Sequence, residues 1–401
     1  MTSLGPIFAD DLARIKPGDR LRLTISAQTS DAAALAQAAL EARARGERVL
    51  VVCADPADVP RLAQEMPWFE PKLDVRPLPD WETLPYDVLS PQEELVSERL
   101  EALYRLTAPT GGADVLLTSA VTASQRLSPV SYIGANTFFF HQGEQISLTT
   151  LQKRLAAAGY TNVKQVLAAG EFAVRGSIVD VFPMGSERPF RLDFFDDEIE
   201  SIRWFDVDTQ RSMESAEEIR LLPGHEFPVD PEALLAFRQR WRREFAGDPK
   251  KSIVYCDIEK EILPPGIEYY LPLFFDETAA LTDYLPPNAR VFLLGDIEAA
   301  LQAFGRDMAS RYKVLAADPQ RPALAPERIW LKPEEFFKSL ANFARFTVEE
   351  KENAEDLKRL TGIEVDRKSQ NPVGKLLERT RESAMKGVRT LIAEIGRASC
   401  R

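Results

Sequence analysis

Apolar and polar positions alternate or cluster in ways that assign most of this chain. Leu21, Leu23 and Ile25 alternate with polar residues, as in a half-buried strand. The stretch "AAALAQAALEARA" (Ala32–Ala44) then reads as a helix. Ser30 or Asp31 stands where a cap would, and Gly46 lies past its end. "RVLVVC" (Arg48–Cys53) is a continuous apolar run, the mark of a strand buried on both faces. With "DVLLT" (Asp114–Thr118) it predicts a parallel sheet built from a right-handed strand–helix–strand unit.

From about Ala135 the period changes. "SLTTLQKRLAAAGY" predicts a short helix stopped by Gly159. "GEFAVRGSIVDVFP" (Gly170–Pro183), "RPFRLDFF" (Arg188–Phe195) and "EIESIRWFDVDTQRS" (Glu198–Ser212) predict antiparallel strands joined by "PMGSE" and "DDE" turns. In "FRLDFF", Phe190, Leu192 and Phe194 share one face, which should be core. Arg191, Asp193 and Phe195 share the other, and Arg175 is expected one strand away. That face is either a solvated surface with one stray aromatic or a protein-binding hot spot. The acids Asp196, Asp197, Glu198 and Glu200 fit a hairpin turn better than a metal site.

From Pro228 helical periodicity returns. "PEALLAFRQRWRREF" predicts an amphipathic helix with Arg238, Arg240, Arg242 and Arg243 on a solvated basic face. "GIEYYLPLFF" (Gly266–Phe275) should pack internally, and "ARVFLLG" (Ala289–Gly295) is a buried strand able to rejoin the first sheet. Ahead of a predicted helix, Ser90 to Glu93 matches a capping box with Pro91 at the first helical position. Trp81 and Tyr86, set among prolines and acids, are expected to anchor a loop rather than stack bases.

Composition narrows the function classes. The chain has 401 residues and a net charge of −12, so it should not coat nucleic acid by itself. Its three cysteines, Cys53, Cys256 and Cys400, lack paired spacing. That suits a reducing cytoplasm and no disulfide framework. Two histidines, His141 and His225, exclude a histidine metal cluster, and no metal site is expected. No apolar run approaches the roughly 18 residues of a membrane span, and no signal peptide is visible. A cytoplasmic protein without membrane contact is the expectation.

A nucleotide-binding protein of the predicted architecture would carry G-x-x-x-x-G-K-[ST] after its first strand, so that backbone N–H groups and a lysine reach the phosphates. Here Ser26, Ala27, Gln28, Thr29 and Ser30 occupy that place, with no glycine and no lysine. No nucleotide is expected to bind there. Such a loop is either an ordinary connection or a decayed phosphate loop.

The segments "LPDWETLPYDVLSPQ", "GEFAVRGSIVDVFPMGSE", "RPFRLDFFDDEIESIRWFDVDTQRS" and "PPGIEYYLPLFF" together resemble the N-terminal part of bacterial transcription-repair coupling factors. The resemblance implies a module similar to the repair protein UvrB: an α/β, degenerate helicase-like parallel-sheet domain in two halves, with an inserted small α+β (antiparallel sheet) domain. The implied divisions are 1–136 and 223–348 for the two halves, 137–222 for the inserted domain and 349–393 for the start of a further domain. Residues 394–401, "EIGRASCR", can be encoded by a sequencing adapter and are read as artefact, which would make Cys400 foreign. The resemblance also implies that the inserted domain recruits UvrA, with Arg175, Arg191 and Phe195 at the family's contact positions. It implies that the phosphate loop decayed by descent. Contacts with RNA polymerase and double-stranded DNA, and the ATP- and Mg-dependent translocase, would lie in parts of the family beyond this stretch, leaving no cofactor and no catalytic residue here. The competing reading is a UvrB-like ATPase or helicase acting on damaged DNA, which the missing lysine-bearing loop opposes.

Overall fold

The computed structural model describes residues 14–25, 28–108, 112–350, 371 and 373–387. Its scaffold is a six-stranded sheet of β1 (Arg20–Ile25), β2 (Val49–Cys53), β3 (Val75–Pro77), β4 (Val115–Ser119), β13 (Arg290–Leu294) and β14 (Ala344–Glu350). The strand order is β1-β14-β13-β2-β4-β3, and every pair is parallel. The residues of β2, β4 and β13 are all buried, as continuous apolar runs require.

Strand period two sorts each side chain to a face. Val49, Val51 and Cys53 pack under α1 (Gln28–Ala44) and α2 (Asp58–Phe69) with Leu62 and Met66. Leu50 and Val52 point to the opposite side, towards Leu100 and Leu103 of α3 (Glu93–Thr107). On the α1 and α2 side, burial raises the Cys53 thiol pKa to about 12.

Two helix starts differ from the sequence pattern. α1 begins at Gln28, so Asp31 lies in its first turn rather than at its cap. The Asp31 carboxylate is buried against Arg61, at 2.6 and 2.9 Å, and burial raises its pKa. Asp31 is thus held by a tertiary partner that period alone does not reveal. α3 begins at Glu93 after Gln92, with no side-chain cap, and the Ser90 hydroxyl instead donates to Glu268 at 2.9 Å. A long-range carboxylate outcompetes the local capping box.

Between β4 and β13 the chain builds a second layer. β5 (Phe138–His141) pairs antiparallel with β12 (Glu218–Leu221). Between them run the helix α4 (Leu148–Ala157) and the strands β6 (Thr161–Asn162), β7 (Glu171–Arg175), β8 (Ile178–Val181), β9 (Phe190–Phe195), β10 (Glu198–Phe205) and β11 (Ser212–Ala216). These six form a sheet in the order β11-β10-β9-β8-β7-β6, antiparallel except for β6 with β7. Asp196 and Asp197 make the β9–β10 turn, Asp196 at φ +52°.

The remainder encloses an aromatic cluster. α5 (Pro231–Glu244) and α6 (Ile253–Glu259) contribute Phe237, Trp241 and Tyr255, and a 3-10 helix at Ile267–Leu273 contributes Tyr269 and Tyr270. The arginines of α5 lie at the surface, Arg242 and Arg243 exposed and Arg238 and Arg240 half-buried, and three of them contact neighbours: Arg240 on Asp276 at 2.6 Å, Arg238 near Glu259, Arg242 over the Tyr255 ring. α7 (Ile297–Leu315) follows β13 and covers the sheet with Leu301. β14 runs to Glu350, past the point where the composition turns charged. Among the described residues, no helix is long and apolar enough to cross a membrane.

Candidate functional site

The alternation in β9 holds residue by residue. Phe190, Leu192 and Phe194 are buried, while Phe195 is 69% exposed. Among the described residues, only Val314 and Met385 are large apolar side chains more exposed than Phe195, and this exposure is the first feature of the face.

The second is a buried carboxylate. Asp180 sits mid-strand in β8, between Val179 and Val181, and is fully buried. The register places it opposite Arg191 on β9 and opposite Ala173 on β7. Directly paired residues share a sheet face, so Asp180 and Arg191 lie on the same side as Phe195. Arg191 Nε donates to Asp180 Oδ1 at 2.6 Å and Nη2 to Oδ2 at 2.9 Å, a two-point fork. Its Nη1 donates to the Gln210 carbonyl and to Ser212 Oγ, both at 3.2 Å. The hydrogen bond to Asp180 raises the pKa of the Arg191 guanidinium.

Arg175 closes the arrangement. It ends β7, two strands from β9 rather than one, because β8 intervenes. Its Nη2 donates to Asp180 Oδ2 and to Gln210 Oε1. The Arg175 side chain stays 49% exposed, against 14% for Arg191. One carboxylate therefore holds two guanidinium groups, one facing inward and one facing solvent.

The rest of the face is not plainly solvated. Phe205, Ala173 and Val166 form a small separate core, and the Arg191 guanidinium lies 5.0 Å from the Phe205 ring centroid. Arg175, Arg191 and Phe195 thus share one side of the sheet. The sequence pattern alone does not mark Asp180 or Gln210 as part of this face. The available signal was an aspartate inside the apolar run "SIVDV", which period two places on the arginine side.

The other sequence candidates fall elsewhere. Ser26 and Ala27 lie outside the described residues. Gln28, Thr29 and Ser30 form the first turn of α1. Residues 388–401, with Cys400, also lie outside them. Trp81 is buried, donating its indole N–H to Glu226 at 2.8 Å, and the Tyr86 hydroxyl donates to the Leu324 carbonyl at 3.0 Å. Both anchor a loop; Trp81 is closed to stacking, while Tyr86 is half-buried and packs against Tyr269 and Trp330. A cavity of about 200 Å3 lies away from the β9 face, lined mainly by apolar groups such as Phe304, Met308 and Trp330.

The sequence model of the UvrB interaction domain matches residues 138–227, the stretch that carries β5 to β12. The chain is 42% identical over 298 residues to the transcription-repair-coupling factor of Escherichia coli (strain K12), covering 74% of this chain and 26% of that protein. The Haemophilus influenzae transcription-repair-coupling factor is 44% identical over 277 residues, 68% of this chain and 24% of its own length. The Bacillus subtilis protein of that name is 32% identical over 216 residues, 50% of this chain and 18% of its own. The chain spans about a quarter of the length of the first two relatives.

Proposed function

We propose that this chain, a member of the transcription-repair-coupling factor family over the residues it shares with those relatives, docks the excision-repair protein UvrA through its β7–β9 face and carries no catalysis of its own. One coincidence carries the reading. The UvrB interaction match covers 138–227, and within it one strand face sets an exposed phenylalanine on the same side as a braced arginine pair. Aromatic and arginine side chains dominate protein-binding hot spots because they desolvate well and bond in fixed geometry.

In this reading the chain delivers UvrA to a stalled RNA polymerase in the cytoplasm. On the same reading, ATP and Mg, double-stranded DNA and the polymerase itself would be bound outside the stretch this chain shares with its relatives, which is about a quarter of their length. The scaffold sheet, descended from a helicase-like domain in two halves, holds no nucleotide and serves as a platform for the inserted domain at 137–222.

The test is a titration of UvrA with the wild-type chain and with an Arg175→Glu, Phe195→Ala double variant. Loss of a hot-spot pair costs at least ~2 kcal/mol, roughly thirty-fold in affinity. Equal binding by both proteins moves the site off this face.

A further inference from the structure

A carboxylate with no solvent exposure in the middle of an apolar strand is costly unless both oxygens are satisfied. Asp180 meets that condition only through the two arginines. Oδ1 accepts from Arg191 Nε, and Oδ2 accepts from Arg191 Nη2 and from Arg175 Nη2. Without a carboxylate between them, two guanidinium groups so close would repel each other. The same pair fixes the turn after β10. Arg191 holds the Gln210 carbonyl and Ser212, and Arg175 reaches the Gln210 side chain at 3.5 Å. Gln210 has a left-handed backbone, φ +57°, which a glutamine keeps only when its surroundings hold it.

The two arginines therefore differ. Arg191 is mostly buried, and each of its three nitrogens already donates within the domain. Arg175 shares one nitrogen between Asp180 and Gln210, and its side chain stays half exposed.

We propose that Asp180 is a positioning residue of the docking face. It acts on the partner only through Arg175, with Arg191 and the 206–211 turn as its internal brace. The partner-facing groups are then Arg175 and Phe195. This inference rests on the UvrA-docking reading.

The experiment is a double-mutant cycle read by UvrA titration: wild type, Asp180→Asn, Arg175→Ala and the double variant. Asp180→Asn keeps the shape but removes the charge, and we expect roughly tenfold weaker binding. In the Arg175→Ala background the same change is expected to cost little, because the group it positions is gone. Wild-type affinity in Asp180→Asn, or losses that multiply in the double variant, overturns the positioning role.

The Arg191 Nε–H resonance, assigned by its disappearance in Arg191→Lys, supplies a readout independent of UvrA. It is expected to be protected from exchange in the wild type and averaged with the other arginines in Asp180→Asn. If that signal moves as expected and no chain binds UvrA, the docking reading has failed while the carboxylate brace stands. If the wild type binds and the signal does not respond, the brace has failed. Should Asp180→Asn melt the inserted domain, Arg191→Lys replaces it in the cycle. It keeps the charge but loses the fork, and the same loss and the same non-additivity are expected.

Discussion

Arg99 and Glu226 form an ion pair at 3.0 Å with both side chains withdrawn from water. Arg99 lies on α3 of the scaffold, and Glu226 lies just after β12, where the chain leaves the second layer. The Trp81 indole donates to the other oxygen of Glu226, and Arg99 also donates to the Pro79 carbonyl at 2.7 Å. This knot ties three distant segments together. Removing one partner leaves a buried charge unpaired. Glu226→Ala is therefore expected to cost about 3–5 kcal/mol in denaturant unfolding. Replacing Arg99 and Glu226 together by apolar residues is expected to cost less than either single change.

Adjacent residues on β9 should behave oppositely. Phe194 is core and Phe195 is open. Phe194→Ala is expected to lose about 3–5 kcal/mol of stability. Phe195→Ala is expected to leave the melting curve within about 0.5 kcal/mol of wild type, yet to weaken UvrA binding by about tenfold or more. Calorimetry on the free chains, beside the titrations, checks both halves.

Stability should depend on pH through buried Glu268 and half-buried His225, with opposite signs. Burial raises the Glu268 carboxyl pKa to about 7. Its contribution is complete below the ordinary carboxyl range and is lost as pH rises through about 7. Burial lowers His225 to about 4. Its contribution is complete above the ordinary imidazole range and is lost as pH falls through about 4. The two slopes oppose each other between about pH 4.5 and 6.5, and the wild type partly hides both. Glu268→Gln removes one of them. The stability of this variant relative to wild type is expected to rise between pH 5 and pH 8, by up to about 3 kcal/mol. Urea midpoints at the two pH values measure it, and a constant difference would refute it.

Gly266 allows a close approach that no other residue permits. It adopts φ +78°, and a Cβ there would stand 2.6 Å from the Asp87 carbonyl oxygen. Its N–H donates to Ser90 Oγ at 3.0 Å, which in turn donates to Glu268. Gly266→Ala is expected to destabilise the chain by more than about 1 kcal/mol. Proteolysis within residues 82–90 should accelerate with it.

Much of this was legible in the sequence because period is a local property. The run at Arg48–Cys53 had to be a strand covered on both faces, and it is. The two-residue repeat in "FRLDFF" had to put Phe194 inside and Phe195 outside, and it did. The aromatic run at Gly266–Phe275 had to be packed, and it forms part of a core. Each follows from the geometry of successive side chains, which the sequence states outright.

What the tertiary structure alone decided is which residues meet across the chain. Nothing local says that Ser90 prefers Glu268 to its own helix end, or that Asp31 is reserved for Arg61. Nor does sequence spacing reveal that Arg175 lies two strands from Arg191 with Asp180 between them. Those pairings are choices among many acids and bases in a chain that has 62 of one and 50 of the other. Burial makes the choice: a charge withdrawn from water must find its partner within the fold, and only strand order and register place that partner within reach.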